Sequence, residues 1–105
     1  MSKPRAFVLE ESKYDSSSAE DFARVTYVYG PGEIRPSIFD PTLHGAVWDK
    51  LESYNYDPIQ DYLVLTGDMI PVSILLSVAM RIARTHGVKV LVWHASDRIY
   101  KELVL

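Results

Sequence analysis

The chain contains no cysteine, which excludes a disulfide framework and every zinc site that needs thiolates. Its three histidines stand at 44, 86 and 94 without an H-x-x-x-H pair, so a histidine-based metal centre has no spacing to support it. Runs of Lys or Arg are absent and the net charge is −3, a poor balance for gripping a phosphate backbone. No apolar stretch reaches the ~20 residues of a membrane span. There is no G-x-G-x-x-G, no Walker lysine and no G-x-S-x-G elbow. What is there is 105 residues, 48% of them apolar, enough for one domain that buries roughly two-thirds of its unfolded surface without staples.

Charge is uneven along the chain. Residues 1–60 carry six basic and ten acidic side chains, a net of −4, and residues 61–105 carry five and four, a net of +1. The start, Met1-Ser2-Lys3-Pro4-Arg5, leads into only four apolar residues before Glu10 and Glu11, too few for a signal peptide. The expected location is the cytoplasm.

Ala6-Phe7-Val8-Leu9 reads as a short first strand. The polar stretch 13–20, with Ser16, Ser17 and Ser18 in a row, reads as a solvated connector. A second strand is expected over residues 24–29, Val25, Tyr27 and Tyr29 sharing one face and Thr26 and Val28 the other, stopped by Gly30-Pro31-Gly32. Residues 30–40 are irregular. Asp40-Pro41 announces a helix, with aspartate as N-cap and proline in the first turn, and Leu43, Ala46, Val47 and Leu51 recur at helical spacing to about Tyr54.

The clearest pattern follows. Tyr62-Leu63-Val64-Leu65 is a continuous apolar run, Thr66-Gly67-Asp68 breaks it, residues 69–85 form a strongly apolar helix, and after Gly87 comes Val88-Lys89-Val90-Leu91-Val92-Trp93. Strand, helix and strand in about thirty residues is a βαβ unit with parallel strands and a right-handed crossover. Runs without alternation suit strands covered on both faces. The fold class is therefore α/β: a small three-layer Rossmann-like sheet with a central βαβ unit. The segment from His94 onward has two readings, a last helical turn capped by Asp97 or, favoured by its β-formers and turn residues, an antiparallel edge strand over residues 99–104 after the turn Ala95-Ser96-Asp97-Arg98, which makes the sheet mixed.

In the long helix, Asp68 is the expected N-cap and Gly87 the C′ residue. Its polar stripe is narrow, comprising Ser73, Ser77, Arg81 and Arg84. Either the domain wraps this helix from two sides or another chain does, and the candidate interface is Val72, Leu76, Met80 and Ala83.

Ligands of open parallel sheets bind beyond the carboxyl ends of the strands. Those ends carry Thr66, Gly67 and Asp68 on one strand and His94, Ser96 and Asp97 on its expected neighbour. These six residues are the candidate ligand site, with a small anion such as a nucleotide as the ligand class, although Asp68 is repulsive there and Pro71 removes a donor. A Ser96, His94 and Asp set lacks the strained elbow that a nucleophile needs. No catalytic residue, metal or cofactor is implied. Tyr27 and Tyr29 side by side are a possible stacking platform, but the sparse basic charge around them favours packing over nucleic acid.

The stretch Tyr56-Asp57-Pro58-Ile59-Gln60-Asp61-Tyr62-Leu63-Val64-Leu65-Thr66-Gly67, the apolar helix, then His86-Gly87-Val88-Lys89-Val90-Leu91-Val92-Trp93 and Tyr100, resembles small α/β proteins encoded by tailed bacteriophages. The resemblance covers residues 56–100. It departs at His94, where the family often has Asp, and in the bulk of the helix. It implies a phage origin, brings no activity with it, and favours a short accessory protein in the host cytoplasm. The function expected from the whole is a non-catalytic accessory protein that self-associates or binds a host or phage protein, with no membrane contact.

Overall fold

The computed structural model describes residues 4–12 and 15–105. Residues 1–3, read above for a signal peptide, and Lys13 and Tyr14 of the expected connector lie outside them. In chain order the elements are β1 (Arg5–Glu10), a 3-10 helix (Ser17–Asp21), β2 (Arg24–Tyr29), α1 (Leu43–Ser53), β3 (Tyr62–Val64), α2 (Met69–Ala83), β4 (Lys89–His94) and β5 (Ile99–Val104). One five-stranded sheet runs β2-β1-β3-β4-β5. The first three pairings are parallel and β4–β5 is antiparallel.

This order dictates the layers. The chain steps from β1 to β2 in one direction and from β2 through β3 to β4 in the other. Right-handed crossovers then place the 3-10 helix on one face and both α-helices on the opposite one. The buried side chains agree. Phe7, Leu9, Leu63 and Val90 meet Leu43, Val47 and Leu51 of α1 and Leu75, Val78, Ala79 and Ala83 of α2. Ala6, Val8, Val64 and Leu91 meet Ala19 and Ala23. The third layer is thus a single 3-10 turn, and small alanines let it lie close to the sheet.

Part of the stretch read as a solvated connector is therefore core, since Ala19 and Ser16 are buried. Other details also differ from the sequence reading. Tyr29 leaves the face of Val25 and Tyr27 to join the helix-side cluster with Val28, beneath the Lys50 ammonium at 5.1 Å from its ring. Helix α1 begins at Leu43 rather than at Pro41, because the Asp40 carboxylate accepts from Thr42 N–H at 2.9 Å and Thr42 Oγ1 at 2.7 Å. At the end of α2 the positive φ falls on Arg84 (57°), not on Gly87. Gly87 is needed for space instead: a Cβ there would collide with Val104 Cγ1 and lie 3.3 Å from Leu105 O.

The apolarity of α2 is mostly satisfied within the domain. Pro71, Leu75, Val78, Ala79 and Ala83 are buried, and Ile74, Leu76 and Ile82 pack against the core. Of the four residues expected at an interface, Ala83 is only 1% exposed and belongs to the core. Val72 and Leu76 are half-buried, and Met80 is exposed.

The turn from α1 to β3 is held by one carboxylate. Asp61, itself buried, accepts from Arg5 N–H (3.0 Å), from Arg5 Nη2 (3.0 Å) and from Asp57 N–H (2.8 Å). The Arg5 guanidinium also donates to the carbonyls of Tyr54 and Asn55. Asp57 accepts from Ile59 N–H at 3.0 Å and so shapes the turn around Pro58. Strand β1 is thereby tied to the loop that delivers β3.

Tyr56 stands edge-on to Phe7 with ring centroids 5.9 Å apart, and its hydroxyl has no hydrogen-bond partner among the described residues. A buried hydroxyl without a partner costs ~1–3 kcal/mol, so Tyr56→Phe should raise the denaturant midpoint or leave it unchanged. Burial, then the charges of Asp61 and Asp57, push the Tyr56 phenol well above its ordinary value. Burial likewise raises Tyr29, Tyr62 and Tyr100. A phenol raised in the folded state contributes stability that is complete below its unfolded value of about 10 and is lost as pH climbs toward the folded value. Urea midpoints should therefore fall above about pH 10, and less steeply in Tyr56→Phe.

Candidate functional site

The topological switch lies between β1 and β3, whose following segments leave toward opposite faces, and a crevice opens there at the carboxyl edge. A cavity of about 310 Å³ is lined by Leu9, Glu10, Glu11 and Ser12 after β1 and by Thr66, Gly67, Asp68, Pro71 and Val72 after β3. A second cavity, about 670 Å³, shares Thr66 and Gly67 and opens on the side of the 3-10 helix, between Asp15 and Ser18 and the aromatic pair Trp93 and Tyr100, and Leu65 also lines it. The two meet at Gly67, whose φ of 101° favours glycine and whose Cβ position lies 3.7 Å from Ser12 Cβ.

Asp68 has the extended backbone of an N-cap, yet its carboxylate makes no capping hydrogen bond. The residue three positions on is Pro71, which has no N–H to offer. The side chain is exposed beside Glu11. Glu10 is held by Arg35 Nε at 2.8 Å. Asp15 accepts from Ser17 N–H at 2.9 Å, and that backbone bond, with the Ser17 hydroxyl, holds its carboxyl below the usual range. Burial raises the Tyr100 phenol, a hydrogen bond from Thr66 opposes this, and the Asp15 charge adds to the rise. Trp93 packs edge-to-face on Tyr100 at 5.2 Å. This rim carries four carboxylates, and the guanidinium of Arg35 is already committed, so its field favours cations or neutral donors over anions.

Of the six residues expected at the site, Thr66, Gly67 and Asp68 come together, joined by the end of β1. His94, Ser96 and Asp97 do not line either cavity. All three are exposed, His94 as the last residue of β4 and Ser96 and Asp97 on the turn that follows, and Asp97 binds His94 Nδ1 at 3.1 Å and Lys101 Nζ at 3.0 Å. Glu10, Glu11, Asp15, Ser18, Trp93 and Tyr100 were not among the expected residues. The first two become visible only when β1 is known to neighbour β3. Among the described residues no group of three or more His, Asp or Glu side chains is placed to hold a metal, and no helix is long and apolar enough to cross a membrane.

No curated protein and no solved structure matches the chain. A family model described as phage Pam3 gp32-like protein matches residues 4–105. That span takes in β1, the 3-10 helix and β2, which the resemblance over residues 56–100 left uncovered, as well as the βαβ unit and the hairpin. The chain belongs to the phage Pam3 gp32-like protein family.

Proposed function

We propose that this chain is a non-catalytic phage accessory protein that binds another protein by accepting a strand at the free edge of β5. The observation that carries this reading is how burial ends across the sheet. Phe7, Leu63 and Val90 stand in register on the helix side, each 0% exposed, and Leu103, the next in the row, is 51% exposed. The helical layer stops short of β5, and Val92, Ile99 and Val104 are exposed around it. Apolar surface next to an unpaired strand suits strand addition.

The backbone says which groups would pair. Val88 and Leu105 exchange both of their backbone hydrogen bonds at 2.9 Å. Alternation along an antiparallel ladder then points the N–H and C=O of Tyr100, Glu102 and Val104 away from β4. A second copy is a poor occupant. Around a two-fold axis, the two symmetric registers of fullest overlap oppose Lys101 to Lys101 or Glu102 to Glu102, and like charges directly opposite repel. The incoming strand accordingly belongs to a different protein, and the isolated chain should be monomeric by light scattering.

Glu102→Pro tests the reading, because it removes an outward N–H and leaves the β4–β5 ladder intact. A protein captured from infected cells by the wild type and by Glu102→Gln, and lost with Glu102→Pro at unchanged melting temperature, supports strand addition. Equal capture by the proline variant overturns it.

A further inference from the structure

We propose that the cleft between the 3-10 helix and the β4–β5 hairpin is a receptor for a guanidinium group. At about 670 Å³ the cleft has the size of a small-molecule site. Its wall is an indole: Trp93 remains 43% exposed although it packs on Tyr100. That edge-to-face contact fixes the ring plane, and the indole face is the best aromatic surface for a cation. Across the cleft stands Asp15, whose carboxylate is oriented by Ser17 and has no cationic partner among the described residues.

Ser18 and Thr66 add hydroxyls to the lining. Each hydroxyl can donate one hydrogen bond and accept others. A planar fork of N–H donors can stack on Trp93 while its edge reaches a carboxylate and these hydroxyls. Guanidinium has that shape, and a lysine ammonium does not. The adjoining cavity extends the acidic rim through Glu10, Glu11 and Asp68, which raises the local concentration of cations. Among the described residues, Arg35 is committed to Glu10 and Lys101 to Asp97. The site makes no use of the outer edge of β5, so it stands or falls separately from strand addition, and Glu102→Pro should leave it unchanged.

Two sources share this chemistry, an arginine side chain of a protein and a free guanidinium compound. Titration of the intact protein with N-acetylarginine amide and with agmatine, followed by the indole N–H resonance of Trp93, addresses both. The resonance is assigned by its loss in Trp93→Leu. A saturable shift is expected with at least one probe. Stronger binding of the amide points to a protein side chain, and stronger binding of agmatine to a small molecule. N-acetylcitrulline amide, an uncharged isostere, and N-acetyllysine amide should each bind about tenfold more weakly or worse, as should the arginine probe to Asp15→Asn. Absence of a saturable shift, equal binding of citrulline, or unchanged affinity in a folded Asp15→Asn overturns the proposal.

Discussion

Asp61→Ala should destabilise the protein by ~3–5 kcal/mol, the cost of breaking a buried ion pair by removing one partner. The carboxylate is the shared acceptor of three donors: the Arg5 N–H, the Arg5 guanidinium and the Asp57 N–H. Alanine leaves two backbone donors without their acceptor and a cation, itself about a quarter exposed, without its counter-charge. Domains of this size have about 5–15 kcal/mol to lose, so the melting temperature should fall by more than about 10 °C. Asp61→Asn keeps one acceptor oxygen and should cost less. Thermal melts of both variants check the order. A loss below about 1 kcal/mol for alanine would mean that the pair behaves as a surface salt bridge.

Phe7→Ala should cost about as much, ~3–5 kcal/mol, by a different route. Phe7 is fully buried on the interior strand β1, in register with Leu63 and in ring contact with Tyr54 at 5.6 Å and Tyr56 at 5.9 Å. Neighbours held by a five-stranded sheet cannot close on the space left behind, so lost contacts and a cavity add together. Phe7→Leu, which keeps most of the volume, should cost ~1 kcal/mol. Urea unfolding separates the two, and equal midpoints would show that the helices collapse onto the gap.

The apolar runs at 6–9, 62–65 and 88–93 were legible as strands because parallel strands buried on both faces need no alternation. The turn residues and β-formers of the final segment favour the hairpin but leave a helical turn capped by Asp97 open, and β4–β5 pairing decides for the hairpin. Strand order was not legible, since nothing local to Glu10 or Glu11 says that β1 lies beside β3. Half of the switch-point cavity was therefore invisible. The 3-10 helix was hidden for another reason: three serines in a row look solvated, and one buried Ala19 leaves no period to read. What covers the apolar surface of α2 is open in the sequence, because amphipathicity counts faces and does not name the neighbour; Leu43, Val47 and Leu51 of α1 share its core cluster. The βαβ unit predicted the Thr66-Gly67-Asp68 edge. The same pattern points to His94, but Trp93 lines the cleft and alternation along β4 turns the next residue to the opposite face.

The sheet order also schedules how the chain can assemble. The β4–β5 hairpin joins near neighbours, the kind of pairing that forms in about 1–10 μs. Central pairing of β1 with β3 must close a loop whose clasp, Arg5 to Asp61, spans 56 residues, and such non-local contacts come slowly. During synthesis β1 leaves the ribosome first and completes its neighbourhood only after β3 has followed. Phe7, Val8 and Leu9 thus wait longest for burial, and the nascent chain is most open to chaperones and to aggregation through its own first strand.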